Sequence, residues 1–135
     1  MKQIDHIGIA VNNLEDSIST FTALLNTTCY KIEEVESQKV KTAFFKLKDQ
    51  KIELLAATSN TSTIAQFLQR KGEGIHHIAF EVEDIVLEME RLRKEGFTPL
   101  QEHPFPGADN KLVAFFHPKT TQGVLVEICQ QIKVQ

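Results

Sequence analysis

Apolar residues along this chain follow two rhythms, and the rhythms recur in the same order. Alternation over residues 2–11, with Ile7, Ile9 and Val11 on one side, predicts a strand. Leu14, Ile18, Phe21 and Leu25 then recur at helical spacing, so a helix follows; Asn12 or Asn13 is its N-cap, and it ends near Asn26. Residues 29–35, 41–47 and 51–56 read as three further strands, with Lys48-Asp49-Gln50 as a hairpin turn between the last two. After a polar break at 59–62, Ile64, Phe67 and Leu68 mark a short helix that closes at Gly72. The first rhythm then restarts: a strand over 75–82, an N-cap at Asp84, and a helix carrying Ile85, Met89 and Leu92 up to Gly96. Strands over 97–102, 112–116 and 123–130 complete it, and the turn-rich loop 104–110 is expected to project and border a site.

The recurrence extends to residue identity. Ile4-Asp5-His6-Ile7-Gly8-Ile9-Ala10-Val11 is echoed by Ile75-His76-His77-Ile78-Ala79-Phe80-Glu81-Val82, and Ala43-Phe44-Phe45 by Ala114-Phe115-Phe116. Glu53 and Glu127 both sit inside apolar runs. Such self-similarity predicts two tandem β-α-β-β-β modules. The expected architecture is α+β, a single domain over 1–135 with modules 1–58 and 74–135, a connector helix in 59–73, and a curved mixed sheet around a metal cleft.

Bulk properties narrow the partner. At 135 residues, with 41% hydrophobic and 24% charged positions, the chain has enough apolar material for one core without disulfides. The net charge of −3 and the absence of long charged blocks argue against nucleic acid or a membrane surface, leaving a small molecule as the expected partner. No signal-peptide pattern or run of ~18 apolar residues is present, which points to a cytoplasmic protein. Cys29 and Cys129, within apolar patterns and without CxxC spacing, are expected to be reduced structural residues.

Strand periodicity then sharpens the chemistry. His6 falls on the strand face of Gly8 and Ala10, and His77 on that of Ala79, away from the helix-side residues. Glu53 and Glu127 likewise face away from their apolar neighbours. A carboxylate within an apolar strand is costly unless paired or bound to a cation, and two at matching positions suggest one metal held by His6, Glu53, His77 and Glu127. This nitrogen and oxygen donor set suits Zn, Ni, Co, Mn or Fe(II). Four protein ligands leave open positions only on a five- or six-coordinate ion, which favours Co, Ni or Mn over closed tetrahedral Zn. His76 faces the core side and reads as structural, and His103 reads as a loop residue. His117, before Pro118-Lys119 at a strand end, is placed to border a substrate. Glu33, Glu34 and Glu36 read as solvated strand charges, with Glu36 able to lean over the cleft.

Paired modules carrying these residues resemble the vicinal oxygen chelate superfamily, and within it the methylmalonyl-CoA epimerases. The segments that carry the resemblance are Asp5-His6-Ile7-Gly8-Ile9-Ala10-Val11, Lys51-Ile52-Glu53-Leu54-Leu55, Gly74-Ile75-His76-His77-Ile78-Ala79, and His117-Pro118-Lys119 with Gly123-Val124-Leu125-Val126-Glu127. The resemblance implies a divalent metal on His6, His77 and Glu127 with position 53 near or on it, a homodimer, and interconversion of (2R)- and (2S)-methylmalonyl-CoA by proton abstraction at C2. Glu127 is expected to carry one proton. For the second proton-transfer group the candidates are Glu53 and Glu36. Relatives often have a glutamate in an acidic-Gln-Gly-Val stretch, whereas here Ser37 takes its place and Lys39 that of the glycine.

Three rivals share the fold. A glyoxalase I-type lyase has the same His, Glu, His, Glu order of ligands. An Fe(II) dioxygenase would use His6, His77 and Glu127, although Glu53 crowds the positions oxygen needs. A metal-free module that sequesters a small ligand is the non-enzymatic alternative.

Overall fold

A computed structural model describes residues 1–133; residues 134 and 135, the expected end of the second module, lie outside the described residues. The chain forms two compact units, one from His6 to His76, the other from Met1–Asp5 together with the described residues from His77.

The first unit holds the strand β1 (Gln3–Ala10) from His6 onward, the helix α1 (Leu14–Leu25), the strands β2 (Lys31–Val35), β3 (Val40–Leu47) and β4 (Gln50–Ala57), and the helix α2 (Thr63–Lys71). Its strands lie in the order β2-β3-β4-β1; β1 and β4 run parallel and the other pairs antiparallel. Asn13 starts α1 by accepting a hydrogen bond from the Asp16 amide at 2.9 Å, and Asn26 ends it in the left-handed conformation, φ 53°. The predicted stripe of Leu14, Ile18, Phe21 and Leu25 packs on Val11, Ala43, Phe45 and Leu54. On the opposite face of the sheet Ile64 of α2 packs with Ala10, Val40 and Leu55.

The second unit repeats this connectivity with β5 (Gly74–Glu81) from His77, α3 (Ile85–Lys94), β6 (Phe105–Pro106), β7 (Lys111–Phe116) and β8 (Val126–Gln131). The order is β5-β8-β7-β6, again with one parallel pair, β5 with β8. Asp84 caps α3 by accepting from the Leu87 amide at 3.1 Å, and Ile85, Met89 and Leu92 bury against Val82, Ala114, Phe116 and Ile128. The expected α+β class and the doubled β-α-β-β-β order are therefore both found. Among the described residues no helix is long and apolar enough to cross a membrane.

Two expectations fail in the second unit. Residues 97–102 form no strand; only a single bridge joins Pro99 to Phe116. Two backbone bonds flank Pro99, from the His117 amide to Thr98 O (2.7 Å) and from the Leu100 amide to Phe115 O (2.8 Å), but side chains take the return donors: the Phe115 amide donates to Gln101 Oε1 (3.0 Å) and the Thr98 amide to Thr120 Oγ1 (3.3 Å). The outer strand is β6, inside the segment expected to be a loop. Its close approach to β7 needs Gly107, where a Cβ would lie 3.1 Å from the Val113 methyls. Similarly, β8 starts at Val126 and not at residue 123. The amides of Gly123 and Val124 are taken by Pro118 O and Thr121 O, at 2.7 and 3.1 Å, and Gly123 turns the chain at φ 86°.

Candidate functional site

Each unit carries one buried histidine–glutamate pair, placed by the same strand register though through different ring nitrogens. In the first, β1 and β4 run in a register that sets Gly8 beside Glu53, with His6 two residues before Gly8 on the same strand face. Phe44 of β3 flanks Glu53 on the other side. His6 Nδ1 lies 3.1 Å from Glu53 Oε2, and the residues are only 5% and 4% exposed. In the second, Ala79 lies beside Glu127 and Phe115 flanks it from β7, while His77 stands two residues before Ala79. His77 Nε2 lies 3.1 Å from Glu127 Oε1, both residues being 5% exposed.

These donors fit a divalent cation. Two ligand atoms each ~2.1 Å from an ion and at right angles stand ~3 Å apart, the separation found in both pairs. The atoms are imidazole nitrogen and carboxylate oxygen, with no thiolate. Buried histidine and carboxylate groups of the kind that hold a divalent ion are thus present, and their chemistry does not single out one metal.

The remaining candidates separate clearly. Glu36 is exposed on a 3-10 turn, Glu36–Gln38, and lies on no strand face. The next residue, Lys39, adopts φ 54°, the left-handed conformation natural to the glycine that the resemblance puts there. Its ammonium donates to Thr61 Oγ1 at 2.9 Å. His76 is structural as expected, edge-on to Phe67 with 4.9 Å between ring centroids. His103 is exposed beside Glu102. Both cysteines are free thiols. In the segment expected to be a loop, Phe105 stacks on Phe115, whose ring in turn meets the His77 imidazole edge-on at 5.6 Å.

Sequence reasoning missed the ion pair between Lys111 and Asp5, both under 10% exposed. A signal was available: Lys111 shares a strand face with Val113 and Phe115, so a cation there had to be buried and therefore paired.

Comparison with known proteins places this geometry. Residues 5–115 match the glyoxalase/bleomycin resistance protein/dioxygenase superfamily. The chain is 38% identical to an uncharacterised protein of Bacillus subtilis, over 96% of this chain and 93% of that one. It is 37% identical to the ethylmalonyl-CoA/methylmalonyl-CoA epimerase of Cereibacter sphaeroides, over 95% of this chain and 97% of the enzyme. A structure of a Streptomyces coelicolor methylmalonyl-CoA epimerase variant in complex with 2-nitronate-propionyl-CoA superposes with a TM-score of 0.95 at 31% identity, covering 98% of this chain and 99% of that one.

Proposed function

Because the chain belongs to the glyoxalase/bleomycin resistance protein/dioxygenase superfamily, we propose that it is a metal-dependent epimerase, an isomerase that interconverts (2R)- and (2S)-methylmalonyl-CoA. The observation that carries this reading is the pair of buried His–Glu couples in matching register, 3.1 Å each, in a chain similar over nearly its whole length to epimerases of that substrate. His6, Glu53, His77 and Glu127 are the assigned ligands of one divalent ion, Co, Mn, Ni or Zn. When bound, that ion supplies Lewis-acid stabilisation of negative charge on the thioester oxygen. Homodimeric assembly and a cytoplasmic location belong to the same reading.

The protein's own groups move the proton. C2 of the substrate lies between a thioester and a carboxylate, so its C–H bond can break with the electron pair delocalised toward the thioester oxygen. Glu127 takes that proton onto its carboxylate. A second, protonated carboxyl returns one to the opposite face of the planar carbon, which inverts the centre and leaves the two groups with exchanged protonation states. Glu53 fits this second role better than Glu36, being buried at the equivalent register position while Glu36 is exposed.

The test is C2 deuterium incorporation from D2O, followed by NMR, in metal-loaded, chelated and Glu127→Ala protein. Rapid exchange in the first alone supports the reading. Exchange no faster than in the chelated protein overturns it and directs attention to the hemithioacetal of methylglyoxal and glutathione.

A further inference from the structure

The metal and proton chemistry above does not use His117 of the His-Pro-Lys motif, which directly follows β7. Phe115 pairs with Glu127 and Phe116 with Val126, the last pair of the ladder, and His117 follows directly. Its backbone stays extended, φ −63° and ψ 128°, so the side chain leaves the strand on the same face as Phe115, which meets His77.

The imidazole is also fixed in one tautomer. Its Nδ1 accepts a hydrogen bond from the Lys119 amide at 3.1 Å, capping the 3-10 turn Pro118–Thr120, and the His117 carbonyl accepts from the Thr120 amide and hydroxyl at 3.0 and 2.9 Å. A backbone N–H can only donate, so Nδ1 is bare and the ring proton sits on Nε2. The ring is half-buried, oriented by its own turn, and presents an N–H. The geometry points to His117 as a substrate-binding donor whose Nε2–H meets an oxygen of the acyl group, either of the thioester carbonyl or of the carboxylate, beside Glu127. This assignment rests on the acyl-CoA reading above.

The two ring nitrogens carry separable roles, which makes the inference testable. His117→Asn keeps an acceptor near Nδ1 and hence the cap, since asparagine is a strong N-cap, but withdraws the distal donor. His117→Gln places an amide N–H near the position of Nε2 and forfeits the cap. In the metal-loaded protein, the Asn variant is expected to raise KM for methylmalonyl-CoA about tenfold at an unchanged melting temperature, as loss of one hydrogen bond to substrate predicts. The Gln variant is expected to recover several-fold of that loss while melting lower.

Inhibition by propionyl-CoA, which has the thioester but no carboxylate, identifies the oxygen. A Ki raised in the Asn variant assigns the carbonyl, and a Ki unchanged while KM rises assigns the carboxylate. A wild-type KM in the Asn variant, or a Gln variant no better than Asn, overturns the inference and leaves His117 a cap alone. Failure of the acyl-CoA reading itself looks different, because the wild-type protein then shows no C2 exchange.

Discussion

The two units share a topology but spend their residues differently. The inner strands agree closely: Glu53 sits between Gly8 and Phe44, and Glu127 between Ala79 and Phe115. Away from the pairs they diverge. The outer strand β2 has five residues where β6 has two, and α3 fully buries three side chains where α1 fully buries none. A buried ion pair, Asp5 with Lys111, belongs to the second unit. The parts that agree are those in register with the carboxylates, where a one-residue slip would turn a side chain to the other face. Outer strands and helices meet a weaker demand, since they must cover apolar surface without aiming a particular atom.

Breaking the equivalence of the two glutamates should have the largest effect. Glu127→Ala is expected to slow C2 exchange by ~10²–10⁴-fold, the usual contribution of a positioned acid–base group, and Glu53→Gln, whose amide oxygen can still ligate but which cannot return a proton, is expected to slow turnover by a similar factor. Deuterium incorporation by NMR on metal-loaded proteins reads both, and equal losses would make the halves equivalent in proton transfer.

Next in size is the ion pair. Lys111→Met leaves Asp5 without its cation in a buried position and is expected to destabilise by ~3–5 kcal/mol in denaturant titration, with part of the loss restored by Asp5→Leu in the same chain. The helices should differ as their burial does. Met89→Ala on α3 is expected to cost ~2–4 kcal/mol, whereas Ile18→Ala on the shallower α1 should cost about half that, both measured by the same titration. Caps offer a comparison in which the units should agree: Asn13→Ala and Asp84→Ala are each expected to cost ~1 kcal/mol, because both side chains accept the amide three residues on.

The smallest effect concerns Glu88 of α3. Its hydrogen bond with Arg91, one turn away, holds its carboxyl below the ordinary value of 4.5. A depressed folded-state pKa contributes stability above the unfolded value, and that contribution is lost as pH falls through the folded one. Wild type should therefore exceed Glu88→Gln by ~0.2–0.5 kcal/mol at neutral pH, with the gap closing in acid below 4.5 when melting is followed against pH.

Local pattern made much of the fold legible. The α1 stripe, the caps at Asn13 and Asp84, and the turn at Lys48, which adopts φ 53°, follow from spacing and residue type because they involve neighbours in sequence. The burial of the four candidate side chains was also legible, since alternation sets which strand face each occupies. Residues 97–102 were not. Their pattern suits a strand, but the Gln101 and Thr120 side chains take the amides of Phe115 and Thr98 that would have closed the ladder, and that diversion depends on where β7 lies.

By itself the sequence determined the repeat, the class of fold and the faces of His6, Glu53, His77 and Glu127, because helix and strand periods act over a few residues. Tertiary structure decided that each histidine stands 3.1 Å from its glutamate, that Glu36 is exposed on a turn, and that Lys111 finds Asp5 across 106 residues of chain. Those outcomes depend on strand register and on contacts between distant segments, for which no local period encodes a distance.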